Sequence, residues 1–462
     1  MYILRKLNMK KILFMSTLLL MITISLVSCK DYLEAKPDKK LNTLSSLTSL
    51  QAILDDHVRL NIRANYAAEV ASDNYYLTDN ALVAIISEGD KKIYNWEKSD
   101  DMFEGVNDNW YYSYLAVYYG NSVIENIDKI DRNTSNYRDW DNIKGQAYFY
   151  KGSSMLHAAF VWTPVYDEQT ASTSLGLPIR ASTDFNVKST RSTLAQTYAQ
   201  LIDDLKKATA LLPVGQVHTM RPSKTAAYAM LSRTYLAMNM YTEAGLYADS
   251  VLQLNDQLLD YNEINATSVN PFPSYKGEVL FNLTMVNPPI IDEANAYVVD
   301  ELYQQYEAND LRKKIFFKNA GSGLYSFKGN YSGTPLLFAG PAVDEMYLNR
   351  AESFARNHKL TEALNDLNKL MIKRWDKTKP FPTYVSTNQA TVLDWILTER
   401  RKELLMRGIR WSDLKRLNKL GYELTISRKY NLNKSALAPN DSRYAMPLPR
   451  SIIELTGMQQ NP

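Results

Sequence analysis

The chain has 462 residues but only one cysteine, Cys29, and four histidines. One thiol cannot close a disulfide within the chain, so a disulfide-stapled scaffold is excluded. Zinc sites built on several cysteines are excluded too. The histidines His57, His157, His218 and His358 are scattered and show no His-Glu-x-x-His spacing. A Gly-x-Ser-x-Gly elbow and a Gly-x-x-x-x-Gly-Lys phosphate loop are missing; Gly321-Ser322-Gly323 is too short to cradle a phosphate and reads as a loop tip. Neither charge dominates: 53 basic residues face 50 acidic ones, and four of the basic residues lie in the first 28 positions, which hold no acid. A surface this balanced argues against nucleic acid as a partner, because phosphate binding needs a basic face. The longest apolar run, Ile12 to Val27, has 16 residues, which is short for a membrane span.

That run follows Arg5, Lys6, Lys10 and Lys11 and precedes Leu26-Val27-Ser28-Cys29. A basic start, a short apolar core and a small residue before the end are the layout of an export signal. Residues 1–28 are therefore expected to be a lipoprotein signal peptide, with Met9-Lys10-Lys11 as an alternative start. Leu26 to Cys29 resembles the bacterial lipobox, which makes Cys29 the expected site of lipidation. Two or more acyl chains on one cysteine hold a protein stably to a bilayer. Residues 29–45 read as a lipidated tether and residues 46–462 as the fold. Lys30-Asp31 partly matches a signal for the outer face of the outer membrane, but Tyr32 stands where a second acid is expected.

Within the fold, helical periodicity dominates. Apolar residues from Leu194 through Tyr198, Leu201, Leu205 and Ala208 to Leu212 fall at spacings of three and four. Thr193 with Gln196 makes a capping-box pattern at the start of this stripe, and Pro213 stops it. Helices are expected over 223–238 and 241–254, and again over 344–355 and 360–374. The two units align on Thr242-Glu243-Ala244 and Thr361-Glu362-Ala363, with Tyr228 and Tyr347 at matching upstream positions. Small residues at a helix crossing with an aromatic above them follow the packing logic of tetratricopeptide repeats. Further helices are expected near 109–129, 142–160, 390–407 and 411–419. The stretches 60–105, 163–192, 255–340 and 421–450 are irregular, and Glu278 to Leu283 alternates like a small strand. The fold class is thus mainly α, with helix pairs packed against a loop-rich lobe carrying minor β-strands.

No paired carboxylates suggest catalysis. Glu399 and Glu403 lie one helical turn apart, but Arg400, Arg401, Arg407 and Arg410 crowd them, which favours ion-paired packing. Asp203-Asp204 reads as a solvated helix face. Aromatic side chains are the stronger signal, with 32 Tyr against 13 Phe and 7 Trp. A phenol offers a flat apolar face with a polar tip, which suits a sugar surface. Candidate ligand-binding residues are Asp73, Asn74, Tyr75 and Tyr76 in one loop-like stretch, Tyr325, Phe327 and Tyr331 in another, and Tyr297 between them, near Tyr303 and Tyr306. Trp110, Tyr111, Tyr112, Tyr114, Tyr118 and Tyr119 fall at helical spacing and are expected to pack inside. No catalytic residue, metal ligand or cofactor is expected.

Several motifs in order resemble the SusD/RagB family of outer-membrane nutrient-binding lipoproteins. They include Cys29-Lys30-Asp31-Tyr32-Leu33-Glu34, Gly145-Gln146-Ala147-Tyr148-Phe149 and Ala363-Leu364-Asn365-Asp366-Leu367-Asn368. More specific are Glu399 to Leu404, then Gly408-Ile409-Arg410-Trp411-Ser412-Asp413-Leu414-Lys415-Arg416, and the closing Met446-Pro447-Leu448-Pro449 and Gln460-Asn461-Pro462. The chain departs from the family at Arg407, where an acid usually precedes the glycine. The resemblance implies about four tetratricopeptide-like helix pairs, an N-terminal part over 46–254 and a SusD/RagB part over 255–462. It also implies a cell-surface, lipid-anchored protein without catalysis that captures glycan or oligosaccharide and passes it to a SusC-like TonB-dependent transporter. A peptide receptor of the same family and a tetratricopeptide-type interaction scaffold are the alternatives.

Overall fold

The computed structural model describes residues 44–105, 108–428 and 435–462. Cys29 and the expected signal peptide lie outside them. Ten helices organise the chain: α1 (Leu47–Leu54), α2 (Asn109–Ile127), α3 (Tyr137–Trp162), α4 (Leu194–Leu211), α5 (Lys224–Ala237), α6 (Tyr241–Leu254), α7 (Val343–Arg356), α8 (Leu360–Met371), α9 (Gln389–Glu403) and α10 (Arg410–Lys419). Shorter helices and turns lie between them.

The helix starts follow the caps in the sequence. Thr193 Oγ1 accepts from the Gln196 amide at 3.1 Å while Gln196 Oε1 accepts from the Thr193 amide at 2.9 Å, and α4 ends two residues before Pro213. The long helices stack in chain order: α2 on α3, α3 on α4, and so on through α5 and α6 to α7, with α8 and α9 against α7. Buried on most of its circumference, α3 forms the centre of the first layer.

The internal repeat is reproduced in the backbone. Helices α7 and α8 begin 119 positions after α5 and α6, and the turns match: Asn239 and His358 share the same left-handed φ of 59°. That conformation ends a helix at low cost for Asn and accounts for the place of His358. Ala244 and Ala363 are fully buried at the crossings, and the Ser232 hydroxyl donates to the Ala244 carbonyl at 2.9 Å. At Gly245 an added Cβ would fall 2.2 Å from Ser353 Oγ, so α6 and α7 approach closely. The chain is mostly helical with small sheets, a tetratricopeptide-like stack beside a β-containing lobe.

The lobe carries an antiparallel sheet in the order β1 (Tyr75–Leu77), β4 (Ala296–Val298), β6 (Leu324–Phe327), β5 (Phe317–Gly321). β2 (Leu175–Pro178) pairs with β3 (Arg191–Thr193), and β7 (Ile426–Ser427) with β8 (Ala436–Leu437). Gly321-Ser322-Gly323 is the tip of the β5–β6 hairpin, all three at positive φ. Glu278 to Leu283 does not form the expected strand. It makes only an isolated bridge, Val279 with Ala342, because the facing segment turns through Gly340-Pro341 and the Glu278 side chain is drawn inward by Arg374.

Buried ion pairs join lobe and stack. Glu399 and Glu403 are ion-paired as their neighbourhood suggests, but not to the nearby arginines. Arg312 donates to Glu399 at 2.5 Å and to Glu403 at 2.9 Å, and Arg374 to Glu403 at 2.7 Å. The local arginines point elsewhere: Arg400 to Asp413, Arg401 and Arg410 to Asp73, Arg407 to Asp344. Helical geometry fans successive side chains about 100° apart, so arginines adjacent in sequence need not share a partner. Asp203-Asp204 also differs from expectation: Asp203 is exposed and pairs with Lys207, but Asp204 is buried 3.7 Å from Lys151, because α4 packs that edge on α3.

Candidate functional site

Alternation along β1 places Tyr75 and Leu77 on the buried face and Tyr76 on the other. In β4 the same rule buries Ala296 and Val298 and turns Tyr297 outward. Tyr76 and Tyr297 stand directly opposite in the β1–β4 register, with ring centroids 6.1 Å apart. Both rings remain partly open to solvent.

Beside Tyr76 opens a cleft of about 560 Å³, lined by residues from four separate stretches. Asp73 to Asp79 form one wall, Val299-Asp300-Glu301 the next, Thr425 to Ser427 the third, and Arg401 of α9 the back. Arg401 Nη2 contacts the Asp73 carboxylate at 3.0 Å, and its Nε donates to Asn74 Oδ1 at 3.3 Å. Arg410 donates to the other side of Asp73 at 2.7 Å. Burial would raise the Asp73 carboxyl, but the Arg410 and Arg401 guanidiniums outweigh it and hold the acid well below the usual carboxylate range. Burial, then the negative charge of Asp300, pushes the Tyr76 phenol above its usual value. Rigid charged walls and a half-exposed aromatic pair can grip a polyhydroxylated, flat-faced ligand without breaking a bond in it.

Of the sequence candidates, Asp73, Tyr75 and Tyr76 line this cleft and Tyr297 stands beside it. Tyr75 is buried in its floor, hydroxyl to the Val70 carbonyl at 3.0 Å, and Asn74 is buried beneath Arg401. Tyr325 is not brought to the cleft. It lies on the opposite sheet face from Tyr297 and stacks on Tyr303, centroids 3.7 Å apart. Phe327 and Tyr331 are buried: Phe327 packs on Phe316, and the Tyr331 hydroxyl bonds that of Tyr261 at 2.7 Å. Their place in a loop-like stretch suggests exposure, but that segment folds back over Phe272 and Phe316. Sequence reasoning missed Asp79, Asp300, Glu301 and Arg401, and no local pattern marks them. The aromatic run of α2 is also only partly interior: Trp110 is buried, but Tyr111 and Tyr118 are exposed, and Tyr118 stacks on exposed Phe185 over a second groove of about 440 Å³.

Behind the cleft, Glu69 is fully buried and accepts from the Gly408 amide at 2.8 Å and the Ser72 hydroxyl at 3.0 Å. Burial raises its carboxyl from 4.5 to about 6 despite these bonds. The folded state therefore holds this proton more tightly than the unfolded one. Its stabilisation is complete below pH 4.5 and is lost as pH rises through about 6. Glu69→Gln should remove about 2 kcal/mol of that difference. Urea unfolding of both proteins at intervals from pH 4.5 to 7 should show the wild type losing stability relative to the variant as pH rises, so that the two curves are not parallel. Parallel curves would refute the assignment.

Among the described residues no group of three or more His, Cys, Asp or Glu is placed to hold a metal ion, and no helix is long and apolar enough to cross a membrane. A tetratricopeptide-like stack carrying an aromatic-edged cleft on a small β-lobe defines a helical-scaffold binding protein. Two family models match: residues 31–236 fit one described as starch-binding, associating with outer membrane, and residues 344–462 fit the SusD family. The chain belongs to the SusD/RagB family. Its fold is shared by a SusD superfamily protein from Bacteroides thetaiotaomicron VPI-5482, at 24% identity and a TM-score of 0.73, covering 90% of this chain and 100% of that one. A SusD superfamily protein from Bacteroides fragilis matches at 19% identity, TM-score 0.71, over 89% and 98%. A SusD-like carbohydrate binding protein from Bacteroides vulgatus ATCC 8482 matches at 20% identity, TM-score 0.67, over 89% and 96%. Among curated proteins none matches this sequence.

Proposed function

We propose that this protein captures oligosaccharides at the cell surface and delivers them, chemically unchanged, to a SusC-like TonB-dependent transporter. The observation that carries the reading is the open pair Tyr76 and Tyr297 beside a polar cleft. Family membership supports glycan as the ligand and the outer membrane as the place. The lobe holds the ligand, and the helical stack serves as the rigid frame that meets the transporter.

Calorimetry with oligosaccharides tests the capture step. Removing one stacking ring takes away contact worth about 1.5 kcal/mol, so Tyr76→Ala and Tyr297→Ala should each weaken binding about tenfold. Both side chains are partly exposed on strands, so folding should survive. Affinity unchanged in both variants, or saturable binding of peptides with no glycan signal, would overturn the reading.

Anchoring rests on Cys29, the only thiol in the chain. Cys29→Ser should abolish labelling by radioactive palmitate and move the chain from the membrane to the soluble fraction. Labelling that persists in the variant would rule the anchor out. Protease shaving of intact cells would separate an outward-facing chain, which is cut, from a periplasmic one, which is protected.

A further inference from the structure

A second, smaller pocket opens beside α2 and α3 and shares no residue with the cleft. It starts from a short extended stretch, Arg63-Ala64-Asn65, whose Ala64 amide donates to the Thr284 carbonyl at 3.1 Å. Side chains two apart on extended backbone point the same way, so Arg63 and Asn65 line the pocket together. Another wall is one face of α3, with Tyr150, Ser153 and His157 at helical spacing.

N–H donors gather here, and no carboxylate lines the pocket. Asn65 is 8% exposed, and its Oδ1 accepts from the Ala67 amide at 3.0 Å, which fixes Nδ2 as a donor; that donor has no partner. Arg63 Nε is buried and unpartnered as well. Among the described residues no acid pairs with Arg63, whose guanidinium lies 5.1 Å from the Tyr112 ring. Arg59, the other cation of the lining, is held by Asp56 at 2.6 Å. His157 supplies a third N–H. Arg233 can only donate, so its contact at 3.3 Å makes His157 Nε2 the acceptor and leaves the ring proton on Nδ1. Burial, with the charge of Arg233 added, pushes this imidazole down to about 3 and keeps it neutral. Arg233 itself is spent on Glu345 and on the Ala339 and Gly340 carbonyls.

We infer that this pocket is a second binding site, one that takes the carboxylate of a small organic acid. Unpaired donors in a wall lose hydration on folding, and an anion replaces it with charge-assisted bonds. The pocket measures about 30 Å³, roughly twice what one water requires. That space admits the two oxygens of a carboxylate, whereas a tetrahedral phosphate exceeds it. Water would fill the same space but leave the Arg63 charge without a counter-charge.

Equilibrium dialysis of the full chain against radioactive acetate at fixed ionic strength tests the site. The wild type should bind one acetate saturably, at least about tenfold more tightly than inorganic phosphate. Arg63→Gln should weaken acetate about tenfold and leave oligosaccharide binding, read by calorimetry, unchanged. Asn65→Asp keeps an acceptor for the Ala67 amide but puts its own carboxylate beside Arg63. It should abolish acetate binding, and acetate should raise the melting temperature of the wild type but not of this variant. No saturable acetate binding, phosphate binding more tightly than acetate, or binding indifferent to both Arg63 and Asn65 would overturn the inference. Asp31, Glu34 and Asp38 lie outside the described residues. Acetate bound by D31N/E34Q/D38N but not by the wild type would assign the pocket to the chain's own acids and overturn it too.

Discussion

Replacing Arg312 by methionine should lower the unfolding free energy by about 3–5 kcal/mol. Arg312 is fully buried and its guanidinium serves Asp310 at 2.7 Å, Glu399 at 2.5 Å and Glu403 at 2.9 Å. Removing it leaves three buried carboxylates with Lys402 and Arg374 as the remaining cations, one of which already serves Glu278. The cost is the desolvated charge left behind, not the modest net worth of the pairs. Because Arg312 belongs to the lobe and Glu399 and Glu403 to α9, the loss should also loosen the lobe from the stack. Urea unfolding gives the energy, and hydrogen exchange across 296–327 gives the location. A change below about 1 kcal/mol would mean the network is relieved by water or by protonation.

Gly340→Ala should cost about 3 kcal/mol, near the upper end for overpacking. An added Cβ would stand 2.0 Å from the Phe281 carbonyl oxygen, a backbone atom that no rotamer change can move aside. Relief requires separating the extended segments that bridge at Val279–Ala342 and Thr284–Phe338. The Gly340 carbonyl also accepts from Arg233 Nη2 at 3.0 Å, so displacement disturbs the buried Arg233–Glu345 pair. Thermal unfolding compared with Gly215→Ala, where an added Cβ meets nothing, separates the clash from any general glycine effect. Equal melting shifts in the two variants would refute the steric account.

Arg407 shows how a departure from a family pattern is absorbed. It stands where the resemblance leads one to expect an acid, yet it is buried, with its guanidinium 3.2 Å from Asp344 and 4.6 Å over the Phe338 ring. Burial raises the Asp344 carboxyl, against the pull of Arg407. Arg407 is thus accommodated by an ion pair with a buried acid, while Met406 and Gly408 on either side keep the left-handed turn between α9 and α10.

The helices were legible because their information is local. The stripe and caps of α4, the breaks at Asn239 and Pro213, and the repeat at Ala244 and Ala363 act within a few residues, through propensity, capping and one buried face. The family could be read for a similar reason, since its motifs are contiguous and ordered. The cleft could not. Its walls come from residues near 73, 300, 401 and 426, and nothing in those segments alone states that they meet. Aromatic clustering found Tyr76 and Tyr297 but equally pointed to Phe327 and Tyr331, because composition does not say which face of a strand or which side of a loop is covered. The β1–β4 register decided the first pair by turning Tyr76 and Tyr297 outward, and packing on Phe272 and Phe316 buried Tyr331 and Phe327. The charge balance divides in the same way. Near-neutrality belongs to the whole chain, whereas packing alone decides that Arg401 and Arg410 turn to Asp73 and Arg428 to backbone carbonyls.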